Sequence, residues 1–403
     1  MTQAGKQLAR ARLDCLCRLV TDGTHDSPKL QQSGIPFVKG KHISGGYVDL
    51  ENCDHITKED HEKAIQRSKP ERGDILFSNI GSVGDAAFIN IDKEFSIKNV
   101  ALFKPDSDVV DSKYLYYVVL CPKFRGELFA KRLGVAQPFF SLEMLRSHEV
   151  EYHHDLTIQK KIASILSAYD DLIENNLRQI KILEEMAQAL YREWFVKFRF
   201  PGHEKTRMVD SPLGKIPEGW EVVKVGSLLE KIKRKKRVKK QDYESGGTIP
   251  VVDQGRDFIG GYTPDQESLH DKPLPIIVFG DHTRVLKYID FPFACGADGT
   301  QLLRPNTERM PTSLFFYALK SIDLSDFAYA RHFKFLKEQG ILVPDEQAVQ
   351  SFAQVADQIR DQIRCLLRRN ATLRQTRDLL LPKLISGELD VSDLDIKTGG
   401  PIQ

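Results

Sequence analysis

The sequence predicts an α+β protein built by tandem duplication: a mixed α/β globular domain followed by a long helix, then the same pair again. Three observations predict it. Residues 156–198 contain neither Gly nor Pro and carry their apolar residues on a heptad. The same heptad returns 190 residues later. Upstream of each helix, short apolar phrases match one another at an offset of 200 residues. The segments implied are a first globular domain over 1–155, a first long helix over 156–200, a linker and second globular domain over 201–344, and a second long helix with C-terminal tail over 345–403.

The first domain reads as short strands and turns with a few helices. Ile75-Leu76-Phe77 and Ala86-Ala87-Phe88-Ile89 are apolar runs bounded by Gly and Asp, the pattern of buried strands. In the helix that follows, Leu166, Ile173, Ile180, Ala187 and Trp194 form one stripe. Ile162, Tyr169, Asn176, Leu183 and Leu190 form the other, and the two alternate as in a coiled-coil seam. Pro201 and Gly202 are expected to stop this helix. A linker with Pro212, Gly214, Pro217 and Gly219 leads into a second strand-and-turn region that runs to Pro344. The second long helix is expected from about Asp345 to Leu381, with stripes Phe352, Ile359, Leu366, Leu373, Leu380 and Ala356, Ile363, Asn370, Arg377, Leu384.

The repeat extends beyond the helices. Residues 101–105 match 301–305, residues 112–117 match 312–317, and 73–78 have a looser counterpart in 274–280. Asp155 aligns with Asp345 at the helix offset. Pro273 and Pro275 stand where the first copy has Arg72-Gly-Asp74, so the second copy is expected to start that strand differently. The globular copies diverge in their loops while the helices keep their pattern, as expected of a fixed scaffold carrying two variable reading heads.

Composition bounds the function. Hydrophobic residues at 41% and charged residues at 28% exclude wholesale disorder. Lys and Arg number 58 against 56 Asp and Glu, so the distribution of charge and not its total bears on nucleic acid. The six cysteines form no C-x-x-C pair and read as reduced thiols of a cytoplasmic protein. No signal peptide and no membrane span is expected. Phosphate-loop, dinucleotide, nucleophile-elbow and H-E-x-x-H motifs are all missing from the sequence. Asp106, Asp111 and Lys113 are too close together for a two-metal nuclease, and in His153-His154-Asp155 the acid reads as a helix N-cap. No catalytic residue, metal ligand or cofactor is expected in this chain.

The charge is local. Residues 231–240 hold eight cations in ten positions, a stretch suited to duplex phosphates, with Lys233, Arg234, Lys235 and Lys236 at its centre. Other loops carry side chains suited to base edges, Arg and Lys for guanine, Asn and Gln for adenine. In the first domain these are Thr24, His25, Lys39, Lys41, His42, Ser78, Asn79 and Gln137. In the second they are Gln254, Arg256, His282, Thr283, Arg284, Arg331, His332 and Lys334.

Several phrases point to a family. The chain resembles the specificity subunit of a Type I restriction-modification enzyme in residues 19–25 (LVTDGTH), 73–78 (GDILFS), 216–222 (IPEGWEV) and 381–389 (LPKLISGEL), and in the helix phrases 162–168 (IASILSA) and 183–190 (LEEMAQAL). The resemblance implies that each domain is a target-recognition domain reading one half of a bipartite, asymmetric sequence in double-stranded DNA. It implies that the two helices pack as an antiparallel coiled coil, set the gap between half-sites and dock two methyltransferase (modification) subunits, and that two restriction (motor and nuclease) subunits join them. S-adenosylmethionine, ATP and Mg²⁺ would then serve those partners. A structural coiled-coil adaptor joining two protein-binding domains is the alternative, and duplex DNA affinity with a steep salt dependence separates the two.

Overall fold

The computed structural model describes residues 8–80, 83–131, 139–327 and 331–396. The chain forms two compact units, residues 1–174 with 370–403 and residues 175–369. Each unit holds one globular domain with a segment of each long helix, so both helices cross from one unit into the other.

In the first unit a four-stranded antiparallel sheet runs in the order Cys17–Asp22, Ala101–Pro105, Ile75–Phe77, Ala86–Phe88. Its strands are apolar on both faces because successive side chains enter different cores. Ile75, Phe77 and Phe103 face a core that also holds Tyr114, Tyr117, Phe140, Ile162 and Leu166, together with Leu384 and Ile385 of the second long helix. Leu76, Ala87 and Leu102 face a smaller core with Val38 and Ile97. A three-stranded sheet, Asp54–Ile56, Ile35–Lys39, Ser96–Lys98, lies beyond it, and its last pair is parallel.

The second unit repeats this plan. Ile276–Gly280 sits between Leu286–Ile289 and Thr300–Leu303, all antiparallel. Ile277 and Phe279 enter the core that contains Phe315, Tyr317 and Phe352, while Ile276 and Val278 enter a core with Val252 and Phe293. A second sheet again has one parallel pair, Ile249–Val252 with Phe293–Cys295. The helices Ser112–Leu120 and Thr312–Lys320 stand at the expected offset, and the strand pairs Leu8–Arg12 with Glu149–His153 and Glu221–Lys224 with Gly340–Val343 close each domain. Tandem duplication is therefore written in the strand pairing as well as in the helices. The strand starts differ as expected: Gly73 takes φ +91° in the first copy, and cis Lys272-Pro273 and Leu274-Pro275 bonds occupy the place in the second.

Both long helices are capped by the aligned acids. Asp155 Oδ1 accepts from Thr157 N at 2.6 Å, and Asp345 Oδ1 from Ala348 N at 2.8 Å. The seam is antiparallel in each unit. Asp170 pairs with Arg377 and Ile173 meets Asn370, so partner numbers fall as helix numbers rise. In the second unit Glu184 faces Arg360 and Tyr191 packs on Phe352.

The helix ends depart from the sequence expectation. The first helix is regular over Leu156–Tyr191, widens into a π-turn over Arg192–Val196, and is turned off at Phe198 with φ +57°, before Pro201 is reached. An aromatic cluster explains this, since Phe195 and Phe200 pack on Trp220 at 5.6 and 5.0 Å and draw the chain out of helical register. The second helix, Glu346–Ile385, runs past Leu381 and includes Pro382. Burial of Leu381, Leu384 and Ile385 in the first core offsets the missing N–H of a proline in the final turn.

Candidate nucleic-acid interface

In each domain the polar loops gather at the carboxyl end of the one parallel strand pair among the described residues. In the first domain Lys39 pairs with Lys98, and Thr24 bridges Lys98 from the other side, which sets Thr24–His25 and Lys39–His42 at one end of the sheet. The Ser78–Asn79 loop joins them, because a Cβ at Gly40 would stand only 2.7 Å from Ser78 Oγ. In the second domain Val238 bridges Gly296, just beyond Phe293–Cys295, and Gln254 follows Ile249–Val252. Gln254 Nε2 donates to Asp298 O at 3.0 Å while its Oε1 accepts from His282 N at 3.1 Å. Asp281 O and Oδ1 accept from His332 N and Phe333 N at 3.0 and 2.8 Å. Gln254, Arg256, His282, Thr283, Arg284, Arg331, His332 and Lys334 thus converge on one loop cluster.

The side chains divide into exposed and inward-turned. Lys41, Arg256, His282, Thr283, Arg331 and Lys334 are exposed. Arg284 is also exposed, and its guanidinium donates to Leu324 O at 3.1 Å. His25 is exposed beside Asn99 Oδ1 at 2.9 Å and the Asp22 carboxylate at 3.2 Å, the latter held by Arg67 Nε at 3.0 Å. Lys39 reaches Asp54 at 2.6 Å.

Five expected base readers are buried, so burial turns them away from the solvent-facing role the sequence suggested. Thr24 Oγ1 accepts from Asp26 N at 3.1 Å and closes its own turn. Ser78 is wholly inaccessible. Asn79 Nδ2 donates to Phe140 O at 3.1 Å while its backbone carbonyl accepts from Phe140 N at 2.9 Å. His332 is buried at the start of its helix. His42 is also buried, accepting from Lys39 N at 3.0 Å, and burial keeps its pKa below the ordinary value. Gln137 lies outside the described residues.

Asn79 and Asp281 are counterparts. Each clamps the backbone of the segment that enters a short helix, and carrying the 78-to-280 alignment one residue further finds the pair. Lys287 was missed altogether. It alternates with apolar neighbours like a solvent-facing lysine, yet it is buried, and its Nζ donates to Asp253 O and Asp257 O at 2.8 and 2.5 Å, shaping the Gln254–Arg256 loop. Burial holds its pKa down.

The basic run is only partly free. Lys233 and Arg234 are exposed and make no ion pair or hydrogen bond among the described residues. Lys235 is tied to Leu269 O at 2.5 Å, and Lys236 lies 2.9 Å from Asp265 and 3.8 Å from Glu267. Exposed pairs of this kind are worth about 0–1 kcal/mol, so Lys236 can exchange a carboxylate for a phosphate at little cost.

Fold and loops together define a class: a duplicated two-domain scaffold with its polar loops at one end of each domain's parallel strand pair. The Type I restriction modification DNA specificity domain matches it twice, over residues 16–185 and 217–375, and the chain belongs to this family of Type I specificity subunits. The Type I restriction enzyme MjaIX specificity subunit of Methanocaldococcus jannaschii is 25% identical over 93% of this chain and 92% of its own length. The putative MjaX specificity subunit of the same organism is 26% identical over 76% of this chain and 74% of its own. The S subunit of a Type I system from M. genitalium shares the fold, with TM-score 0.52 and 17% identity over 96% of this chain and 97% of that one. No helix among the described residues is long and apolar enough to cross a membrane.

Proposed function

We propose that this chain is the non-catalytic DNA-reading subunit of a Type I restriction-modification complex. Each domain reads one half of a bipartite, asymmetric target with the loops at the carboxyl end of its parallel strand pair, and the long helices set the gap. The helices also dock two methyltransferase subunits, and two restriction subunits complete the assembly. Methyl transfer from S-adenosylmethionine and ATP- and Mg²⁺-dependent cleavage belong to those partners.

The gathering of equivalent polar loops in both domains is the observation that carries this reading. The docking role is supported by apolar side chains left exposed on the helices, Leu172 and Leu379 in the first unit and Ile182 and Met186 in the second. The test is methylation mapping in cells carrying the chain with its partners, together with duplex binding across a salt series. The expected result is two short sequences at one fixed gap and an affinity that falls steeply with salt. Methylation without a bipartite motif, or salt-independent binding, would overturn the assignment.

A further inference from the structure

Within the second unit a cavity of about 270 Å³ opens between the globular domain and the helix segments. Its lining carries five cations, Arg256, Lys287, Lys320, Arg360 and Arg364, against two carboxylates, Glu184 and Asp290. The carboxylates are shared. Glu184 lies 3.6 Å from Arg360 and 3.8 Å from Lys320, and Asp290 lies 3.5 Å from Arg364, which also pairs with Asp361, while Lys287 lies 3.8 Å from Asp253 outside the lining. Burial pushes the Asp290 pKa up, against the opposing pull of the Arg364 guanidinium. Arg256 makes no ion pair or hydrogen bond among the described residues. Phe258, Tyr288 and Phe316 supply apolar walls that keep the local dielectric low. The five cations outnumber by one the four carboxylates that reach them, and an uncompensated positive charge in such a setting is costly until an anion completes it.

We propose that this cavity seats a backbone phosphate of the bound duplex, so that the long helix as well as the loops grips the DNA strand. Continuity argues for that occupant: Arg256 belongs both to the reading loop and to the cavity wall, which Arg364 of the helix also lines. The proposal rests on the DNA-reading assignment. The first unit has no such surplus at the equivalent helix position, where Asp170 stands in place of Arg360.

The test uses the full chain with its partner subunits and the double substitution Lys320→Gln, Arg364→Gln. Both side chains are more than a third exposed, at 38% and 37%. Affinity for target and unrelated duplexes is measured over a salt series. The log–log salt slope should become shallower by ~0.9 for the lost phosphate contact, with both duplexes weakened alike and the target unchanged. Asp290→Asn should act in the opposite direction, tightening both, and carries the test if the double variant fails to fold. Parental slope and affinity in a folded double variant would overturn the proposal. So would stabilisation of the parent, but not the variant, by inorganic phosphate with DNA binding unaffected, which would mark a free-anion site. A parent without salt-dependent DNA binding would overturn the DNA-reading assignment itself.

Discussion

Tyr117 and Tyr317 occupy equivalent places in the two units, and each reaches the long helix that follows its own domain. Tyr117 Oη donates to Asp170 Oδ2 at 2.6 Å, whereas Tyr317 Oη accepts from Arg360 Nε at 2.8 Å. Residues 170 and 360 are themselves equivalent, 190 apart. A phenol serves both because its hydroxyl donates and accepts. The ion pair across the seam reverses with it: Asp170 of the first helix meets Arg377 at 2.5 Å, and Arg360 of the second helix meets Glu184 at 3.6 Å. The difference teaches how duplicated helices are told apart. Against a copy of its own helix, Asp170 would face Ala187 and lose its cation, and Arg360 would face Arg374. Opposite polarity in the two units therefore disfavours pairing of like helices.

The widest gap between the two anchors should appear on truncation. Arg360 is buried, with its guanidinium 4.8 Å from the Phe316 centroid and 5.0 Å from that of Tyr317, whereas Arg377 is half-buried and leaves Asp170 bonded to Tyr117 when removed. Arg360→Ala should cost ~3–5 kcal/mol and Arg377→Ala about 1–2 kcal/mol, read by urea unfolding with a probe in each unit. Equal losses would show that the reversal has no energetic weight.

Copying the second unit's polarity into the first sharpens the comparison. Asp170→Arg alone should destabilise by ~2 kcal/mol, and adding Arg377→Asp should recover at least half of that, because the phenol of Tyr117 can accept where it donated. A double variant no better than the single one would show that the Tyr117 site is built for a carboxylate alone.

The reading heads differ in their cations. Lys233→Gln with Arg234→Gln should make the salt slope shallower by ~1.8, and Lys41→Gln in the first domain by ~0.9, with the target retained. Lys235→Gln with Lys236→Gln should change it less, since both lysines already have partners in the chain. A changed half-site in any of these variants would reassign the residue from phosphate to base.

The smallest effect concerns acid. His148 in the first unit is 2% exposed, neither ring nitrogen has a hydrogen-bond partner among the described residues, Nε2 stands 4.0 Å from the Glu127 carboxylate, and burial lowers its pKa below the ordinary 6.5. Its contribution is fully present above 6.5 and is lost as pH falls through the lowered folded value, with a slope of at most ~1.4 kcal/mol per pH unit. His148→Leu should therefore narrow the first unit's loss of stability between pH 7.5 and pH 5, measured by thermal melts. An unchanged pH profile would show that the ring titrates alike folded and unfolded.

Much of this architecture is legible in the residues. Leu166, Ile173 and Ala187 are buried on the heptad stripe as read, Asp155 and Asp345 cap their helices, and the matched phrases lie on the equivalent strands Ala101–Pro105 and Thr300–Leu303 of the two units. The loops were less legible. Ser78 and Asn79 have the chemistry of base readers, but the turn that carries them is folded against Gly40 and Phe140, which no local pattern announces.

The sequence by itself determined the duplicated plan, because heptad periodicity, capping acids and apolar strand runs are local or repeated signals that survive without knowledge of neighbours. Only the tertiary structure decided which polar side chains face outward, where the first helix stops, and which sign of charge each tyrosine meets. Those outcomes depend on contacts between residues 20 to 207 positions apart, such as Phe200 with Trp220 and Asp170 with Arg377. A hydroxyl, an amide or a lysine is compatible with either surface or interior until packing fixes its partners.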